Sequence, residues 1–144
     1  MRLIAIFLFF FLVVVEANAQ KNYYPDGYYF SNSEIKKGDW SFDWLGIMIE
    51  PAKNLRNFVS VRFRNVKTDK WADIETKRYY INRDSTSITF NSKLIGEFVI
   101  NGRFTPSKVP YNDNQITSKT IVFVGSYKLN NKTFPLTFTW GEGD

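Results

Sequence analysis

The dominant pattern along this chain is alternation. Between Phe58 and Val66 the apolar residues Val59, Val61 and Phe63 take turns with Ser60, Arg62 and Arg64. Successive side chains of a strand point to opposite faces, so this period of two predicts a strand with one buried face and one wet face, as in an antiparallel sheet. Trp40-Ser41-Phe42-Asp43-Trp44 alternates aromatic and polar residues in the same way. It predicts a half-buried strand that continues through Ile47-Met48-Ile49 and stops at Glu50-Pro51, where proline cannot donate to a ladder. Shorter strands are predicted at Trp71 to Ile74, Arg78 to Asn82 and Ser87 to Phe90, with Lys67-Thr68-Asp69-Lys70 as a polar turn.

Leu94 to Ile100 leads into Asn101-Gly102 and then Arg103-Phe104-Thr105. Asn-Gly between strand-like runs predicts a type I′ hairpin, which needs positive φ at both turn positions. Pro106 to Ser118 reads as a polar loop. Thr120 to Leu129 and Thr133 to Trp140 are the last two strands, joined by Asn130-Asn131-Lys132. Pro135 places the final strand at an edge, or turns its missing N–H outward. The run Gly96 to Arg103 repeats the form of Gly125 to Lys132: Gly-x-aromatic-x-aliphatic-Asn-Gly/Asn-basic. It predicts either two equivalent hairpins flanking a cavity or shared turn chemistry. No segment carries a helical stripe beyond a turn or two at Pro51 to Asn57. About eight strands in one domain predict an all-β fold, either an antiparallel β-sandwich or a small eight-stranded barrel, and local pattern does not choose between them.

The N-terminus departs from this pattern. Met1-Arg2 is followed by an unbroken apolar run from Leu3 to Val15 and then Glu16-Ala17-Asn18-Ala19-Gln20. A positive start, an apolar run and a small-x-small exit predict a secretory signal peptide, residues 1–19, cleaved between Ala19 and Gln20. The run is too short for a membrane span, which takes about 20 residues. The expected location is secreted or periplasmic, with no transmembrane span in the mature chain. Residues 20–37 read as a Tyr/Asn-rich lead-in, with Pro25-Asp26-Gly27 as a turn, and 38–144 as a single all-β domain. Tyr23, Tyr24, Tyr28 and Tyr29 in the lead-in suit a partner-binding surface.

Composition narrows the chemistry. The chain has no Cys and no His. Thiol catalysis, thiolate metal sites and stabilising disulfides are excluded, and so is the side chain that most often serves as general base and metal ligand. The 14 Phe, 8 Tyr and 4 Trp must supply the packing instead. No phosphate loop or nucleophile elbow is present, no cofactor is expected, and no catalytic residue is assigned. Asn112-Asp113-Asn114 offers oxygen atoms but lacks the spaced acids of a calcium loop, so no metal site is expected. Asn131-Lys132-Thr133 is an N-glycosylation acceptor sequence in a predicted turn. Same-face carboxylate pairs, Asp39 with Asp43 and Asp73 with Glu75, read as solvated faces, and a carboxylate-dependent glycan hydrolase ranks third among the functions.

Two residue sets carry candidate binding chemistry. Trp40, Trp44, Trp71, Tyr79, Tyr80 and Phe98 are aromatics able to line an apolar pocket or stack on sugars. Tyr79 and Tyr80, adjacent on a strand, must face opposite ways. Arg62, Arg64 and Lys67, with Arg78 nearby, form a basic strip able to grip carboxylates or sulfates. The net charge of +5 favours acidic surfaces weakly. Nucleic acid is not an expected partner of an exported, modestly basic chain.

Gly38-Asp39-Trp40, at the start of the first long strand, resembles the G-x-W motif of lipocalin-like barrels. That resemblance implies a tryptophan closing the floor of an eight-stranded antiparallel barrel around a site for a small apolar ligand. The leading expectation is an exported, non-enzymatic binding domain for a small apolar ligand or a glycan. The alternative is an interaction or inhibitor protein docking on an envelope or extracellular macromolecule.

Overall fold

The computed structural model describes residues 25–49, 56–105 and 119–141. The expected signal peptide with its Ala19–Gln20 junction, Tyr23 and Tyr24, the expected stop at Pro51, and the expected loop at 106–118 with Asn112-Asp113-Asn114 lie outside the described residues.

The described strands are β1 (Gly27–Ser31), β2 (Lys36–Lys37), β3 (Trp40–Met48), β4 (Phe58–Asn65), β5 (Trp71–Glu75), β6 (Tyr79–Ile81), β7 (Thr86–Ser92), β8 (Gly96–Phe104), β9 (Ile121–Leu129) and β10 (Lys132–Gly141). All pairings are antiparallel, and they join one sheet in the order β5-β4-β3-β1-β10-β9-β8-β7-β6, with β2 beside β3. The all-β, antiparallel class is as the alternation predicts. The sheet is strongly curled into a half-barrel, in place of the two facing sheets of a sandwich. Its two ends, β5 and β6, are consecutive in the chain. Thr76 ties them together: its N–H donates to Val59 O at 2.9 Å, and its hydroxyl donates to Thr89 O at 2.6 Å.

The inner face holds the core. Leu45, Ile47, Val59, Val61, Phe63, Ile74, Ile88, Phe90, Phe98, Ile100, Phe104, Phe123, Tyr127, Leu136 and Phe138 are all buried there with Tyr29. Aromatic rings run in contact through it. Phe98 meets Phe63 and Tyr127 with centroids 5.8 Å apart, Phe42 stacks on Phe138 at 5.8 Å, Phe138 meets Phe123 at 5.5 Å, and Phe123 meets Phe104 at 5.2 Å. These separations lie in the favourable range for offset and edge-on pairs. Large rings in direct contact give a cysteine-free domain its cohesion.

Three features depart from the sequence pattern. Asn101-Gly102 is not a hairpin turn: it lies in the middle of β8, which runs unbroken from Gly96 to Phe104. Gly102 is glycine because it faces Gly125 of β9. A Cβ on Gly125 would stand 2.1 Å from Asn101 O, and one on Gly102 would stand 2.5 Å from Val124 O. The repeated Gly-x-aromatic-x-aliphatic run therefore gives adjacent strands, pairing Phe98 with Leu129 and Ile100 with Tyr127, and not two hairpins. Its second copy does end in a hairpin, with Asn130 and Asn131 at φ 53° and 60°.

The second departure is in β3, where a register shift falls between Phe42 and Trp44. The additional residue, Asp43, breaks the alternation. Phe42 stays inside opposite Phe63, while Trp44 pairs with Arg62 on the outer face. The third is the lead-in, which contributes β1 to the centre of the sheet, between β3 and β10. Pro135 does not mark an edge strand, since β10 lies between β1 and β9; it sits instead where β10 has a neighbour on one side only. It pairs with Ser126 of β9, whereas the β1 ladder on the other side of β10 reaches only Phe138.

Candidate binding surface

Registry builds a cluster on the outer face of β1, β3, β4 and β5. Trp44 lies opposite Arg62, Arg62 opposite Asp73, and Arg64 opposite Trp71. Tyr28 lies opposite Gly46. Gly46 has no side chain, and the space a Cβ would take is covered by the rings of Trp44, Phe58 and Tyr28. Tyr28 and Trp44 thereby meet edge-on, centroids 5.0 Å apart at 82°.

The Arg62 guanidinium carries the centre of the cluster. It lies 4.7 Å from the Trp44 ring centroid and 5.6 Å from that of Trp71, within the range of cation–π attraction. Its Nε and Nη2 donate to the two carboxylate oxygens of Asp73 at 2.6 and 2.7 Å, a bidentate pair. Arg64 lies 5.3 Å from the Trp71 centroid, and its Nε donates to Asp69 at 2.5 Å. Asp69 is held in place by a turn that Asn65 organises. The Asn65 side-chain oxygen accepts from the N–H groups of Lys67 and Thr68 at 3.0 Å each, and its carbonyl accepts from Asp69 N at 2.9 Å. Trp71 is thus steadied by two guanidiniums while 51% of its surface stays exposed. Rows of outer side chains across four strands extend about 14 Å.

Electrostatics divides the carboxylates. Arg62's hydrogen bond holds the Asp73 carboxyl below its ordinary value, and Asp73 in turn raises Arg62. Burial at the bulge pushes Asp43 upward, although Arg62 and Arg64 pull it back down. Among the described residues, no group of three or more acidic side chains is placed to hold a metal ion, and no helix is long and apolar enough to cross a membrane.

The residues singled out from sequence are distributed unevenly. Trp44, Trp71, Arg62 and Arg64 come together here. Lys67 borders the cluster, paired with Asp39 at 3.0 Å. Trp40 and Tyr79 are half-buried and pack against the core, and Phe98 is fully buried within it. Tyr80, 59% exposed, points away from Tyr79 and to solvent. Arg78 is exposed beside β6, where its carbonyl accepts from Thr89 N at 2.9 Å. Tyr28, Asp43, Asp69 and Asp73 also join the cluster: Tyr28 stands among the tyrosines that suit a partner-binding surface, whereas strand patterning marks Asp43 and Asp73 only as solvated carboxylates and Asp69 only as part of a polar turn. Asp73 shares the outer face of β5 with Trp71 by simple alternation, which is a legible signal. The place of Asp43 depends on a bulge that periodicity does not mark. The chain matches no family model, no curated protein and no solved structure.

Proposed function

We propose that this chain is an exported, non-enzymatic binding domain that takes a glycan on the outer face of β3, β4 and β5. The observation that carries this reading is Trp71, a half-exposed indole fixed by Arg62 and Arg64, with a second indole, Trp44, on the other side of Arg62. A large apolar ring left in water on a sheet face, but already ordered, loses little conformational freedom when a ligand stacks on it. The Arg–Asp pairs around it offer donors and acceptors in fixed planes, which suits the hydroxyl groups of a sugar. The inner face, crossed by contacting rings, supports the outer face as the binding surface over an interior apolar site. Trp40 at the start of β3, packed against the core after Gly38 in the preceding turn, supports reading the half-barrel as a lipocalin-like scaffold.

A second reading has its own support. Tyr28, Trp44, Trp71, Arg62 and Arg64 are the residue types that dominate protein–protein hot spots, so the same face suits docking on a macromolecule. A glycan array probed with the wild-type chain and with Trp71→Ala separates the two. The glycan reading expects discrete positives that weaken about tenfold or more in the variant, equivalent to ~1.4 kcal/mol, while the melting temperature stays in place. An array without Trp71-dependent signal, or a chain recovered from its producing cells with an apolar small molecule inside, overturns it.

A further inference from the structure

Resting on the glycan reading, we infer that the glycan this face accepts is neutral, and that acidic polysaccharides are excluded from it. The overall charge of +5 points the other way, but that charge is not on this face. Four cations here already have their own carboxylates: Arg62 with Asp73, Arg64 with Asp69, Lys67 with Asp39, and Arg56 with Glu75. A fifth carboxylate, Asp43, stands within the field of Arg62 and Arg64. The face as a whole therefore carries no positive surplus.

A uronate or sulfate arriving at Arg62 finds the Nε–Nη2 edge occupied by Asp73 in the geometry the anion itself would need. To bind, it must displace that carboxylate or lie close to it, and like charges at short range repel. A neutral sugar meets no such obstacle. Guanidinium has five N–H donors and a carboxylate about four acceptor sites, so paired Arg and Asp retain capacity for vicinal hydroxyls without separating. The exposed half of Trp71 receives the apolar side of the sugar ring.

The test uses the protein purified from its producing cells on an array that prints matched neutral, uronate-bearing and sulfated glycans. The measurement is made at roughly 0.05 and 0.5 M salt, since screening weakens exposed charge pairing. Trp71-dependent binding confined to neutral members, and unchanged within about twofold between the two salt concentrations, is the expected result. Asp69→Asn leaves Arg64 without its carboxylate, and it should raise the signal on acidic members several-fold relative to the signal on neutral ones. Trp71-dependent binding to acidic members that falls steeply with salt would overturn the neutral assignment and leave the glycan reading standing. Absence of any Trp71-dependent binding would remove the reading itself. No gain in Asp69→Asn would show that charge pairing is not what excludes acids.

Discussion

At the residue scale, Asp43 and Asp73 respond to pH in opposite senses, and their signs follow from their surroundings. Asp73, bonded to Arg62, is held below its ordinary value of 3.8. The unfolded chain then takes up its proton first as pH falls, so Asp73 contributes stability above that value and the contribution is lost in the window below it. Asp43, raised from 3.8 chiefly by burial, behaves the other way. The folded chain holds its proton more tightly, so stability declines as pH rises through the window just above 3.8, and above it the ionised group is a standing cost. Thermal melts from pH 3 to 7 should show Asp43→Asn melting about 2 °C higher than wild type at neutral pH, with the gain absent at pH 3. Asp73→Asn should melt lower at neutral pH and should flatten the acid limb. Reversed signs would mean that the outer-face pairing differs from that described. How much of this was readable depends on the residue. Alternation alone puts Arg62 and Arg64 on a wet face. It cannot say that Asp73 stands opposite Arg62, because cross-strand registry is set by partners elsewhere in the chain.

At the element scale, β8 and β9 show why a strong local signal misled. Asn-Gly favours a turn when positive φ is what the glycine supplies. In β8 the glycine supplies absence of bulk, because Gly102 and Gly125 let two backbones approach more closely than any Cβ allows. Gly125→Ala places its new carbon against the backbone of Asn101, which cannot turn aside as a flexible side chain can. We expect a loss of about 1–3 kcal/mol in denaturant unfolding, with faster amide exchange in β8 and β9 and little change in β4. An alanine variant of unchanged stability would show that the strands part freely. The sequence pattern did succeed for β4, where Val59, Val61 and Phe63 are inside as predicted. It faltered in β3, because a single additional residue reverses the face of all that follows, and Trp44, which alternation puts on the face of Phe42, stands on the outer face instead.

At the scale of the whole molecule, the half-barrel keeps two sheet ends, and Thr76 is the clasp between them. Replacing its hydroxyl in Thr76→Val removes the bond to Thr89 O while preserving shape. The expected cost is about 1 kcal/mol, with amide exchange quickening in β6 and β7 ahead of β9 and β10. A uniform change across the sheet would mean that the ends are not a separable weak point. That β5 and β6 form the ends was not legible from the chain, since the hydrophobic pattern of a closing strand and of an open one is the same.

The placement of β1 has a consequence for how the molecule comes into being. The carbonyl of Phe30 accepts from the hydroxyl of Thr139, 109 residues later, and β1 lies between the third strand and the last. A chain delivered from its N-terminus has this central strand in hand before β3 to β9 and must hold it half-partnered until β10 arrives. Completion is then one late, long-range event, slow in the way that distant pairings are slow. It also sets a strict condition on wholeness. A copy cut short before β10 loses the strand that joins β1 to β9, so its sheet divides there and the free side of β1 is open to pair with a neighbouring chain.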